Sequence, residues 1–152
     1  MQQPSQPDSS IRYGFRLGDV NVLTPEQTPA EFIVAAAIYP LPLAPRRIRG
    51  LTQRRGQPIV VFDAGSAAPE FLPTLIRRPV LVIDSKNEPA AVFVEQPPSV
   101  VRCAPLAELP PRPVVPYADA LIGAARQADG DGLVIWWHVD FRRLFELLAH
   151  DR

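Results

Sequence analysis

Residues 48–63 read IRGLTQRRGQPIVVFD, two short apolar runs on either side of Arg55-Gly56. A glycine at such a break supplies the positive φ of a tight turn, so the stretch predicts two antiparallel strands and their hairpin. Pro58 fits this only where its missing N–H faces an edge or a turn. Three arginines, Arg49, Arg54 and Arg55, stand among the apolar residues and pose the question of what this hairpin touches.

The same grammar recurs along the chain. Residues 13–23, YGFRLGDVNVL, form two runs hinged at Gly18-Asp19, and PVLVID (79–84) and AAVFV (90–94) flank a turn at Lys86-Asn87. Residues 121–140, LIGAARQADGDGLVIWWHVD, echo the opening stretch, with Gly123 in the place of Gly50, Asp140 in the place of Asp63, and a longer turn at Asp129 to Gly132. Two similar β lobes, with the first hairpin free to pair in either, account for the pattern and for the 19 prolines. In TPEQTPAEFIVAAAIY (24–39), Thr28 as N-cap, Pro29 at the first helical position and Glu31 two residues on predict a short helix running into an extended segment before Pro40. After Asp140, a capping residue, Phe141, Leu144, Phe145 and Leu148 recur at helical spacing with Arg142 and Arg143 opposite, which predicts a closing amphipathic helix. Residues 64–72, AGSAAPEFL, are read as a connection, residues 1–10 as a polar disordered leader, and 11–152 as one domain of two interleaved lobes.

Composition narrows the function classes. Lys+Arg and Asp+Glu both total 16, so no net field draws the chain toward nucleic acid or an anionic membrane. The most apolar window, FIVAAAIYPLPLA (32–44), is too short to span a bilayer and is broken by Pro40 and Pro42. The single cysteine, Cys103, forms no internal disulfide, and the polar opening residues lack a signal peptide's apolar core, which together predict a cytoplasmic protein. A phosphate-binding P-loop needs G-x-x-x-x-G-K-[ST], whereas Gly50 and Gly56 have five residues between them and Gln57-Pro58 follows. Cys103 and His138 could in principle form a thiolate–imidazole pair, against which stands the reading of an inert buried cysteine and a strand histidine. The histidines and cysteine have no metal-ligand spacing, and Asp129 and Asp131 fit a hairpin turn rather than a calcium loop. Asp63, Asp84, Glu95 and Asp140 fall at strand ends, where caps and turns use carboxylates. No enzyme activity, cofactor or metal is expected. Residues 46–56, RRIRGLTQRRG, carry five arginines without the interleaved aromatics that stack on bases, which leaves a solvated hairpin face or protein recognition.

The opening hairpin resembles the most recognisable segment of the CheW family of chemotaxis coupling proteins, an apolar residue, Arg or Lys, Gly, a strand, N-x-R-G, an apolar strand and Asp. Arg49, Gly50, Arg55, Gly56 and Asp63 match that motif. The likeness extends over FRLGDVNVL, PVLVIDSKNEPAAVFVE and LIGAARQADGDGLVIWWHVDFRRLF, with Glu31 where the family places a V-x-E-[IV] acid. Gln53 departs from the motif's asparagine, Ala64-Gly65 from its Leu-Arg, and Glu95-Gln96-Pro97-Pro98 from its Asp-x-Val. The resemblance implies two small antiparallel β-barrels packed side by side with a short C-terminal helix. It further implies a non-enzymatic adaptor between the regulatory domain of a CheA-type histidine kinase and the cytoplasmic tip of a chemoreceptor, recruited to membrane-associated receptor arrays without inserting into the membrane. On that resemblance Glu31 and Arg55 are assigned to the receptor-facing surface, Arg49 to protein binding, Val80 to the receptor groove, Val100 to the kinase-facing surface, and Gly50 and Gly56 to shaping the turn. Pilus motility or another chemosensory array is the alternative output. A small β-barrel nucleic-acid module would use the same arginines but calls for surface aromatics and a basic excess.

Overall fold

The computed structural model describes residues 9–65, 74–85 and 88–151. The expected turn at Lys86-Asn87 and most of the 64–72 connection lie outside the described residues, as does most of the leader. The first strand begins at Ser10, inside the span read as leader.

The protein is mainly β. Strands β1 (Ser10–Leu17), β2 (Val20–Leu23), β8 (Ser99–Pro105), β9 (Leu121–Gln127) and β10 (Ile135–Val139) close into one barrel in the order β1-β2-β10-β9-β8. Strands β3 (Ala30–Ile38), β4 (Ile48–Arg54), β5 (Gln57–Phe62), β6 (Ile76–Ser85) and β7 (Glu88–Phe93) form a second sheet in the order β3-β6-β7-β5-β4. A bridge between Tyr39 and Leu51 curls that sheet until its two outer strands meet. The pairings superimpose: β1/β2 corresponds to β6/β7, β9/β10 to β4/β5, and β8 to β3. Each lobe holds one parallel pair, β2 with β10 and β5 with β7, among antiparallel neighbours. The first hairpin therefore joins the last three strands, so this barrel is built from two separate stretches of sequence while the second sheet is built from one.

The turns follow from their residues. Gly18 takes a φ of 60° in the β1–β2 hairpin, and Arg55 and Gly56 take 54° and 79° in the β4–β5 hairpin, the paired positive angles of a type I′ turn. Pro58 opposes Gln53 one step beyond the terminal Arg54–Gln57 pair, and the pairing of β5 with β7 starts only at Val60, so its missing N–H interrupts no ladder. Gly50 lies elsewhere than expected, at a bulge in β4 where Ile48 opposes Phe62 and Gly50 opposes Val61. The first barrel repeats this device, with Leu121 opposing Val139 and Gly123 opposing His138.

The segment expected to begin as a helix is strand β3. Its capping residues were legible, but tertiary pairing overrides them: Ala30–Ile33 pair with Val80–Ile83, and Ala36–Ile38 with Ile76–Arg78. Val34 and Ala35 bulge opposite Pro79, which has no N–H to give to a ladder, and this break hides the period of two.

Three apolar clusters follow from alternation along the strands. Ile38, Ile59, Val61, Val80, Val82 and Phe93 fill the second barrel. Leu23, Val101, Cys103, Ala125 and Trp136 fill the first. Gly14 makes room there, since a β-carbon on it would strike the Trp136 ring. The largest cluster joins the lobes, with Phe15, Leu17, Val22 and Trp137 from one against Phe62, Leu81, Ile83 and Val92 from the other. Helix α1 (Phe141–Ala149) seals it with Phe141, Leu144 and Leu148, as its spacing predicted, and the Asp140 carboxylate accepts from the Arg143 N–H at 3.1 Å. Phe145 meets Phe62 with ring centroids 5.1 Å apart. Among the described residues no helix is long and apolar enough to cross a membrane.

Candidate protein-interaction surface

The tip of the β4–β5 hairpin carries the first candidate surface. Arg55 projects from the I′ turn with its side chain 84% exposed, and a guanidinium nitrogen lies 3.9 Å from Glu31 Oε1, itself 45% exposed. Beneath them Arg54 pairs with Asp84 at 3.4 Å in a more sheltered position. Two residues singled out 24 positions apart thus converge on one exposed spot. The left-handed conformation of Arg55, uncommon for a residue with a β-carbon, fixes where its side chain leaves the turn.

Arg49 and Val80 do not belong to that surface. Arg49, on the β4 bulge, is only 8% exposed and counts with the interior. Val80 is fully buried, because it stands in the inward row of β6 between Arg78 and Val82 and packs within the second barrel. Gly56 shapes the turn as assigned, while Gly50 permits a contact across the barrel seam: a β-carbon there would fall 2.9 Å from the Tyr39 carbonyl carbon, closer still to its oxygen.

Val100 occupies a different face. It is 63% exposed on β8, directly opposite Tyr13 of β1, which is also exposed, with exposed Ile11 one step further along the same row. Ile11, Tyr13, Phe15 and Leu17 form a single outward row of β1; the second lobe covers Phe15 and Leu17 and leaves the other two in solvent. That unbroken apolar row was readable in the sequence and was not singled out. Arg102, opposite Ile11, borders the patch.

A buried cluster ties the C-terminal helix to the second lobe. Arg47, 2% exposed, donates to Asp151 Oδ2 at 2.9 Å, to the Asp63 carbonyl at 3.3 Å and to the Gly65 carbonyl at 2.6 Å. A guanidinium is well suited to such a site because its planar fork serves several acceptors at once. The sequence reading counted Arg47 only as part of a basic run.

The surroundings of Cys103 and His138 act on their protonation in opposite directions. Burial pushes the Cys103 thiol up, against a smaller opposing effect of Arg12, and a protonated thiol is the reverse of an activated nucleophile. Burial and then Arg12 push His138 down, against a smaller raising effect of Glu26. Among the described residues no cluster of three or more His, Cys, Asp or Glu side chains could hold a metal ion. No protein-family model matches this sequence, and no curated protein sequence matches it.

Proposed function

We propose that this protein is a CheW-like adaptor of a chemosensory system, joining a CheA-type histidine kinase to the cytoplasmic tip of a chemoreceptor. The observation that carries this reading is the convergence of Glu31 and Arg55 on an exposed hairpin tip. The resemblance to the CheW family assigns both residues to one partner. Two separated surfaces suit an adaptor: a charged tip on the second lobe, and an apolar patch of Ile11, Tyr13 and Val100 on the first. The charged tip offers a partner helix a fork of donors beside a carboxylate, and the patch offers anchors that lose water on contact.

Titration of the purified chain against the kinase regulatory domain and, separately, against a receptor-tip fragment tests the assignment. Arg55→Ala weakens the receptor arm by about 1–3 kcal/mol and leaves the kinase arm intact, the usual range for a truncated interface arginine. Val100→Glu does the reverse. An absence of binding to either partner, or an equal loss in both arms from either variant, refutes the proposal.

A further inference from the structure

We propose that the cleft between the lobes is a binding site for a small amphipathic carboxylate. A cavity of about 420 Å³ opens there, walled by the β1–β2 hairpin, the residues after β5 and β7, and Trp136 of β10. This volume lies in the range of small-molecule sites, which are concave and mostly apolar with a few placed polar groups. Its floor is formed by side chains already buried in the cores, including Phe15, Leu17, Phe93 and Trp136. Small residues keep it open: Ala64 and Gly65 line it, and a β-carbon on Gly65 would meet only Asp63 Oδ1, at 3.1 Å. Two of the three places where the chain departs from the CheW motif, Ala64-Gly65 and Glu95-Gln96-Pro97, contribute to its walls.

Arg78 supplies the recognition chemistry. It follows Ile76 in the inward row of β6, with its guanidinium carbon 4.1 Å from the Phe93 ring centroid. Stacking occupies the face of a guanidinium and leaves its in-plane N–H groups for a carboxylate. The other charges on the walls are differently placed. Arg16 is paired with Asp19 at 3.7 Å, and Asp63 Oδ1 accepts the Gly65 N–H at 2.9 Å. Glu95 stands exposed at the edge. Among the described residues no carboxylate lies within ion-pairing distance of Arg78. An anion with an apolar body answers both halves of this arrangement, the body displacing water from the floor and the carboxylate reaching Arg78. The site lies at the opposite end of β5 from Arg55 and does not depend on the adaptor reading.

Calorimetric titration with octanoate, checked by displacement of an anilinonaphthalene sulfonate dye, tests the site. The expected result is one saturable equivalent. Octanol, with the same chain and no charge, binds at least about tenfold more weakly, since a charge-assisted pair is worth a factor of that order. Arg78→Gln weakens octanoate binding by about tenfold, and Glu95→Gln tightens it by about two- to threefold because a like charge at the rim is removed. Gly65→Leu abolishes it by filling the space. Non-saturable uptake, several equivalents, or equal affinity for octanoate and octanol overturns the proposal. So does an Arg78→Gln variant that melts like wild type and binds octanoate as well.

Discussion

Gly50→Ala is the substitution that most directly tests how the second sheet closes. The two outer strands meet through reciprocal hydrogen bonds, Tyr39 N–H to the Leu51 carbonyl at 2.8 Å and Leu51 N–H to the Tyr39 carbonyl at 2.9 Å. Gly50 adjoins this bridge with a φ of +149°, and a β-carbon there would strike the same Tyr39 carbonyl. Losing two hydrogen bonds costs about 1–3 kcal/mol net, and forcing alanine into a glycine backbone region costs about 1–3 kcal/mol more. The total, about 2–6 kcal/mol, lowers the melting temperature by about 5–20 °C for a chain of this length. Gly123 is the internal control. It occupies the corresponding bulge of the other barrel, but its added β-carbon would meet His138 Cδ2 at 3.3 Å, a side-chain atom able to yield. Gly123→Ala is therefore expected to cost less than about 1 kcal/mol. Urea unfolding followed by tryptophan fluorescence compares the two. If Gly50→Ala unfolds at the wild-type midpoint, or Gly123→Ala is equally damaging, the close approach at the seam is not what the glycine is for.

Arg55→Asn relieves the left-handed strain of an arginine in the I′ turn and raises stability by about 0.5–1 kcal/mol in chemical denaturation, while weakening partner binding in the titration described above. Asp151→Ala leaves the buried Arg47 with carbonyl partners alone and costs about 3 kcal/mol in the same assay. His138 is pushed down in the folded state, so the unfolded chain binds the extra proton first. Its contribution is present above the ordinary histidine range and is lost as pH falls through it, and His138→Gln flattens the acid side of a stability–pH profile. Cys103 is pushed up, which gives the opposite sign. The unfolded thiol ionises first, so stability falls as pH rises past the ordinary thiol range, and Cys103→Ala reduces that alkaline loss.

The hairpins and the closing helix were legible because their determinants are local. Gly18, Arg55-Gly56 and Asp140 each act on neighbours within a few residues. The lobe repeat was legible because its units are such hairpins. Strand β3 was not, because what decides it is pairing with β6, about forty to fifty residues downstream, and because its bulge at Val34 and Ala35 erases the alternation that marks a strand. The misplaced surface residues have related causes. A bulge at Arg49 changes which way the strand's side chains face, and the burial of Val80 depends on which row of β6 the second barrel encloses. Glu31, Arg55 and Val100, assigned through the motif resemblance, stand exposed, whereas the exposure of Ile11 and Tyr13 depends on the second lobe covering only half of their row.

The interleaving of the lobes has a consequence for biosynthesis. Strands β3 to β7 are consecutive, so the second sheet can assemble as soon as they emerge, whereas the β1–β2 hairpin completes its barrel only with β10; the paired residues Val22 and Trp137 are separated by about 115 positions. At the usual ribosomal pace of about 5–20 residues per second, that hairpin waits roughly 6–23 s for its partner. During that interval the hairpin's open edge can pair with the corresponding strands of another chain, so crowded polysomes favour dimers that have exchanged their first two strands.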